Sequence, residues 1–358
     1  MLNRRPPKSG LRNEYISTLL VDGNALYKTG YHGAISDYNS KGEHVGGLFQ
    51  FITVLRKLID ENLYHRVLVF WDGKFSGKLR WNLYEDYKAN RNKDFINGTI
   101  PDDVNEVLGR LMVQEYLEEL FIRQIEDDIV EGDDFIAYTC LSKSINEKIT
   151  IVTNDRDMCQ LINEDVQIYL CDKKIYITQE NYSQYFKPHI KNALLLKIIA
   201  GDDSDHIKGV RGVKETTLLK HFPELIDREF TLEEILIKAK EIQDSRALIK
   251  KKPLSALTNI LERNTDGKQG KNLFETNKIL MDLTTPLITE EGIEKINNLI
   301  NLPINPDGRS MKNVYTLMKR DGIESRVNSS EYLVPFKKLM EREIKLYNRT
   351  ETEIETTN

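Results

Sequence analysis

The chain has 358 residues, 40% of them hydrophobic and 30% charged, enough apolar material for two or three units with buried cores, which excludes wholesale disorder. With 51 Lys and Arg against 56 Asp and Glu the formal charge is -5, so net charge gives no sign of the basic surface usual in nucleic-acid binders. Three cysteines without CxxC spacing, Cys140, Cys159 and Cys171, suit a reducing, cytoplasmic home, and no run approaches the roughly 20 apolar residues of a membrane span.

Residues 1–16 are polar, lack the apolar core of a secretory signal and predict a flexible arm. STLLV at 17–21 and RVLVFW at 66–71 are short apolar runs that lead into Asp22-Gly23 and Asp72-Gly73, and they predict buried strands ending in loops. Between them Leu48, Phe51, Ile52, Leu55, Leu58 and Ile59 recur at spacings of three and four, predicting a helix that covers a parallel sheet. An amphipathic stretch from Pro101 to Phe121 carries Val104, Val107, Leu108, Leu111 and Met112, a stripe expected to be core. After a helical stretch from Asp133 to Leu141, the strand candidate ITIVT at 149–153 again delivers acids, Asp155 and Asp157. VQIYLC at 166–171 and KIYIT at 174–178 predict a hairpin, helical patterns dominate from 190 to about 345, and the polar ending, 346–358, predicts a mobile tail. The expected fold is α/β, with a mixed, mainly parallel sheet and flanking helices over 17–189 and a helical part over 190–345.

Carboxylates gather at the ends of these elements: Asp22, Asp72, Glu131, Asp133, Asp134, Asp155, Asp157, Asp202 and Asp205, with Asp203 beside the last pair. Any one of them alone reads as a turn or cap residue. Several strands of one parallel sheet ending in acids are another matter, because their carboxyl ends share the edge where such sheets bind ligands. So many anions need opposing charge, and hard oxygen donors without histidine or cysteine select Mg²⁺ or Mn²⁺ over zinc. Two such ions about 4 Å apart would activate water and hold a phosphate, which is the chemistry of phosphodiester hydrolysis.

Basic tracts lie beside the acids. Lys74, Lys78, Arg80, Lys88, Arg91 and Lys93 are interleaved with Trp81, Tyr84 and Tyr87, a pattern that suits unpaired bases stacking on rings while cations meet phosphates. In IKGVRGVKETTLLKHF at 207–222 two glycines three apart lead into a helix, a turn able to present amides to phosphate. Lys208, Arg211, Lys214 and Lys220 fit phosphate contact, and Lys250, Lys251 and Lys252 extend the track.

Taken in order, VDGNA (21–25), WDG (71–73), DYKANR (86–91), EGDD (131–134), TNDRD (153–157) and GDDSDHIKGVRGV (201–213) resemble the 5′ nuclease or flap endonuclease family, and within it the bacteriophage ribonuclease H and 5′-exonuclease branch. The likeness covers roughly residues 17–225; NKILMDL (277–283) and VYTLMKRDGI (314–323) resemble the C-terminal region of phage ribonuclease H more weakly. The resemblance implies a PIN-like nuclease domain with a helical arch at about 80–125, then a helix-three-turn-helix containing Gly209 and Gly212. It implies a Mg²⁺-dependent 5′-3′ exonuclease and flap endonuclease that removes RNA primers and 5′ flaps during lagging-strand replication. Asp22, Asp72, Glu131 and Asp133 are then placed near one metal, with Asp134, Asp155, Asp157, Asp202 and Asp205 near the other or shared.

Tyr87, Lys88 and Arg91 are placed near the scissile phosphate, Arg80 is expected to support the same region, and K⁺ is expected on backbone carbonyls of the helix-three-turn-helix. Expected partners are branched, nicked or RNA-primed duplexes and a single-stranded-DNA-binding protein or clamp, for a monomer in the cytoplasm, the host's if the chain is phage-encoded. Asp205-His206 departs from the family's usual Asp-Asn. Two other readings are a non-catalytic branched-DNA-binding replication or repair protein and a compact RNA-degrading toxin nuclease. The intact acids argue against the first, and the arch and GVRGV segment against the second.

Overall fold

The computed structural model describes residues 15–89, 104–265, 272–305 and 307–357. In chain order the N-terminal part comprises β1 (Ile16–Asp22), α1 (Gly23–Gly33), α2 (Gly46–Glu61), β2 (Arg66–Asp72), α3 (Lys78–Leu83), α4 (Val104–Glu119), β3 (Arg123–Asp127), α5 (Gly132–Leu141), β4 (Glu147–Thr153), β5 (Val166–Leu170) and β6 (Ile175–Ile177). The strands form one sheet in the order β3-β2-β1-β4-β5-β6, parallel except for the β5–β6 hairpin. This is the mixed, mainly parallel sheet that the apolar runs predict.

β1 reads as an unbroken apolar run because both of its faces are covered. Leu19 and Val21 enter a core with α1, α2 and α4, whereas Leu20, one residue out of phase, enters a second core with α5. β3 has no such run and escapes the sequence reading. It is an edge strand whose polar residues find partners: Arg123 Nη1 donates to the Leu302 carbonyl at 2.6 Å, and Asp127 accepts from Lys295 Nζ at 2.6 Å.

The expected core stripe of α4 is corrected. Val104, Val107, Leu108 and Leu111 are exposed, while Val113, Tyr116 and Leu117 are buried. Two apolar stripes overlap in this helix, and the inward one runs through Gly109, Val113, Tyr116 and Leu117 at helical spacing.

The next elements are α6 (Ala193–Ala200), β7 (Gly201–Asp202), β8 (Ile207–Lys208), α7 (Glu215–His221), α8 (Leu232–Leu248), α9 (Ser255–Leu261) and α10 (Leu273–Met281). Their helices share a separate core that includes Leu196, Leu218, Phe222, Ile235, Leu257 and Phe274. After them α11 (Glu290–Asn301), α12 (Met311–Arg320), α13 (Ser329–Tyr332) and α14 (Val334–Thr357) return to the sheet. Ile296 joins the core beneath α5, and Val314, Met318, Phe336 and Leu339 join the one beneath α2.

The stretch 190–345 is therefore not one helical unit, which revises the boundary expected from helix content alone. Helical periodicity says that a face is apolar but not which core receives it. Arg326 grips Asp37 at 2.6 and 2.9 Å, and Arg56 Nε donates to the Tyr332 carbonyl at 3.0 Å, fastening the returning helices. The ending expected as a tail is helical to Thr357. Among the described residues no helix is long and apolar enough to cross a membrane.

Candidate metal centre

β1, β2 and β4 run parallel and end together, so Asp22, Asp72 and the turn after Thr153 meet at one edge of the sheet. That edge lies where the strand order reverses between β1 and β4, the crevice in which open parallel sheets bind ligands. Asp22 caps α1, its Oδ1 accepting from the Ala25 amide at 2.9 Å while Oδ2 accepts from Thr153 Oγ1 at 2.9 Å. Glycine must follow it, because a Cβ at position 23 would stand 2.6 Å from the Trp71 ring. Asp72 Oδ1 accepts from the Gly132 amide at 2.8 Å, drawing the N-terminus of α5, and Asp133 with it, to the same edge. Asp155 Oδ1 accepts from the Asp157 amide at 2.7 Å, capping the short 3-10 helix Arg156–Leu161 that follows β4.

These carboxylates repel one another. Desolvation, reinforced by Asp72 and Asp155, pushes Asp22 up to about 7. Asp133 is raised well above its ordinary range by desolvation and then by Asp155, Asp22 and Asp72. Among the described residues no lysine or arginine lies within ion-pair distance of Asp22, Asp72, Asp133 or Asp155. A concentration of desolvated oxygen donors without histidine or cysteine fits a hard divalent cation. Among the described residues no three His, Cys, Asp or Glu side chains are already grouped to hold a metal ion, so the carboxylates would have to draw together to bind one.

The flanking acids are neutralised from within the chain. Arg80 is buried, its Nη1 lying 2.5 Å from both Glu131 Oε2 and Asp134 Oδ2, and its Nε donating to the Leu280 carbonyl at 2.9 Å. Asp134 also accepts from the Leu287 amide at 2.9 Å. Asp134 is thus engaged by Arg80 and the Leu287 amide, and the Arg80 guanidinium is taken up by Glu131, Asp134 and the Leu280 carbonyl. Tyr87 is likewise buried, in a small cluster with Ile207, Leu280 and Met281, and its hydroxyl donates to Glu131 at 3.0 Å. A ring so enclosed cannot stack on a base, and Trp81 Nε1 is spent on the Tyr87 carbonyl at 2.9 Å. The interleaved aromatics are packing residues.

Lys88 sits among these acids. Its ammonium pairs with Glu131, and although burial alone would raise that carboxyl, Lys88 and Arg80 hold it below its ordinary range. Lys88 has φ 50, a left-handed backbone costing about 1–2 kcal/mol, and its amide donates to the Asp205 carbonyl at 2.8 Å. Arg91 and Lys93 lie outside the described residues.

Asp202 ends β7 and Asp205 stands in the loop to β8, where His206 has φ 58, a conformation that asparagine and histidine both tolerate. Lys197, which sequence reading passed over as part of an apolar helix, bridges Asp157 and Asp202, lying 2.6 Å from the latter's Oδ2. Asp202 drops to about 2: desolvation alone would raise it, and Lys197 more than offsets that. Its only sequence signal was a charge inside LLLKIIA, four residues before the acidic loop.

Of the expected duplex-contacting residues, Arg211, Gly212, Lys214, Lys220, Lys250, Lys251 and Lys252 are exposed and Lys208 and Gly209 partly so. Gly209 packs inward, where a Cβ would stand 2.0 Å from the Ala200 carbonyl carbon. Lys214 pairs with Asp203 at 2.7 Å.

A family model described as the 5′-3′ exonuclease N-terminal resolvase-like domain matches residues 17–187. A 5′-3′ exonuclease of Buchnera aphidicola is 27% identical over 245 residues, covering 66% of this chain and 78% of that protein. DNA polymerase I of Lactococcus lactis subsp. cremoris is 28% identical over 240 residues, 63% of this chain but only 26% of the polymerase, so the chain spans about a quarter of such relatives. Bacteriophage T5 5′-exonuclease with bound zinc shares the fold with a TM-score of 0.54 at 15% identity, over 90% of this chain and 99% of that one. A T5 flap endonuclease in a complex with DNA and metal ions gives 0.55 at 14% identity, over 91% and 99%.

Proposed function

Through residues 17–187 the chain belongs to the 5′ nuclease and flap endonuclease family, and from that premise we propose that it is a divalent-metal-dependent hydrolase of phosphodiester bonds near 5′ ends. The observation that carries the reading is the convergence of Asp22, Asp72, Asp133 and Asp155, without a cationic partner among the described residues, at the carboxyl edge of β1, β2 and β4. Carboxylates alone would repel nucleic acid, so the arrangement is useful there only with added positive charge.

Asp22, Asp72, Asp133 and Asp155 would hold one Mg²⁺ or Mn²⁺ ion, and Asp157, Asp202 and Asp205 a second. When bound, such ions supply Lewis acidity and an acidified water. The chain's own residues set the geometry: the Asp22 and Asp155 carboxylates are fixed by backbone amides, and Glu131 positions Lys88 at the rim of the acid cluster. There the Lys88 ammonium can stabilise charge that develops on a phosphate oxygen. The stretch around 80–125 is proposed to serve as an arch over the cleft, with Arg91 as a second donor.

In the unit formed by α6 to α10, the turn from Lys208 to Lys214 is proposed to grip duplex backbone, with Lys220 and Lys250 to Lys252 extending the contact. A K⁺ ion there would share the Lys208, Val210 and Arg211 carbonyls, each of which already accepts a hydrogen bond from Asn277, Val213 or Asn259. The proposed substrates are RNA-primed, nicked or flapped duplexes, processed as in primer removal during lagging-strand replication.

The test is cleavage of internally labelled RNA-primed and flapped duplexes in Mg²⁺, Mn²⁺ or EDTA. Short products released from the 5′ side only with metal are expected. Folded protein that releases none overturns the proposal.

A further inference from the structure

The two halves of the acid cluster are treated differently by the chain. Asp22, Asp72, Asp133 and Asp155 have no ion-pair partner among the described residues, whereas Asp157 and Asp202 share the ammonium of Lys197. This ammonium lines a cavity of about 580 Å³ together with Asp155, Asp157, Gly201, Asp202 and Ser204. The other cations on that cavity are engaged elsewhere: Lys214 with Asp203, and Arg156 over the Phe186 ring at 4.7 Å. Ser204 holds the far oxygen of Asp202 through its amide at 2.8 Å and its hydroxyl at 2.6 Å. The Asp202 carboxylate is thereby held in place while Lys197, on a flexible four-carbon stem, can leave.

We propose that Lys197 is a tethered counter-ion occupying the place of the second divalent cation, so that the centre loads in sequence. The first ion enters the unpaired half directly. The second enters only as the Lys197 ammonium swings off Asp157 and Asp202, and it binds more weakly because that ion pair is broken. The inference rests on the metal-dependent reading above and adds a residue outside the set of acids. Without a second ion, Lys197 keeps two acids on separate elements, the turn after β4 and β7, from driving the cleft apart.

Binding of Mn²⁺ to the full chain without nucleic acid tests it, with free Mn²⁺ followed by electron paramagnetic resonance. One tight and one weak class are expected in the unaltered protein. Lys197→Met should tighten the weak class at least 10-fold and leave the tight class in place. A weak class that is unchanged, weakened or missing in the variant overturns the proposal.

Should Lys197→Met not fold, the unaltered chain still decides the matter through acylation of Lys197 read by mass spectrometry. Labelling should stay low at one equivalent of Mn²⁺ and rise several-fold as the weak class fills. Two ions bound with Lys197 labelling unchanged would refute the tethered counter-ion alone. No Mn²⁺ bound at all would refute the metal-dependent reading and this inference with it.

Discussion

Arg80 and Asp134 face each other as a two-pronged ion pair sealed from water, with Nη1 2.5 Å from Oδ2 and Nη2 3.1 Å from Oδ1. The same guanidinium reaches Glu131 and the Leu280 carbonyl, so one side chain ties α3, α5 and the end of α10 together. In the fold Arg80 acts as a fastening between these elements.

Removing that fastening should cost stability before it costs chemistry. Arg80→Met leaves the buried Asp134 without its cationic partner and Glu131 with Lys88 alone, and is expected to destabilise the fold by about 3–5 kcal/mol. Urea unfolding without metal measures this. Unchanged stability with lost cleavage would restore the substrate-facing role.

Asp22→Asn should act in the opposite sense. It removes one charge from a group of mutually repelling carboxylates, so the metal-free variant should melt higher than the unaltered protein while its cleavage falls at least 100-fold. Mg²⁺ should raise the melting temperature of the unaltered protein more than that of the variant, since at a given concentration a ligand that binds the folded state more tightly stabilises it more. Equal shifts would remove Asp22 from the site.

Lys88→Ala is expected to lower the single-turnover rate by roughly 10²–10³-fold with little change in substrate affinity, the pattern of a group that acts on charge formed in the transition state. A loss confined to affinity would make Lys88 an ordinary phosphate contact.

The pair Asp127–Lys295 supplies a pH signature away from the centre. Desolvation alone would raise Asp127, but Lys295 and the Val130 and Ile129 amides hold it below its ordinary range. A depressed carboxyl contributes stability that is present above its unfolded value near 4 and is lost as pH falls through its folded value. Asp127→Asn should therefore be less stable than the unaltered protein at pH 6, and the gap should close as pH drops below about 4. A gap that widens toward acid would contradict the pairing.

Two leucines of α4 should behave unlike each other. Leu111 is exposed and Leu117 fully buried, so Leu111→Ser is expected to stay within about 0.5 kcal/mol while Leu117→Ala costs about 2–5 kcal/mol. Similar costs at both positions would put Leu111 back in the core.

Much of the sheet was legible because strands buried on both faces leave a plain mark: unbroken apolar runs that end in Asp-Gly. β3 left none, since an edge strand can carry Arg123 and Asp127 once each finds a partner from α11 or just beyond it. The acids were legible as a set but not in their roles. Spacing brought Glu131 and Asp134 to one helix face, yet only three-dimensional contact shows that Arg80 takes both. Tyr87 was misread for the same reason, because alternation of rings and cations looks alike on a stacking platform and in a packed knot. Lys197 was invisible because one charge in an apolar helix usually snorkels to solvent, and its bridge to Asp157, forty residues earlier, leaves no mark in the sequence.

The returning helices α12 to α14 bear on how the fold is completed during synthesis. When residue 189 has been made every strand of the large sheet exists, but Val314, Met318, Phe336 and Leu339, which cover its α2 side, have not yet been translated. The stretch matched by the family model, 17–187, thus leaves part of its α2-side core to be covered by residues outside it. The core on that side of the sheet is completed only after some 150 further residues have passed through the separate helical unit of α6 to α10 and returned.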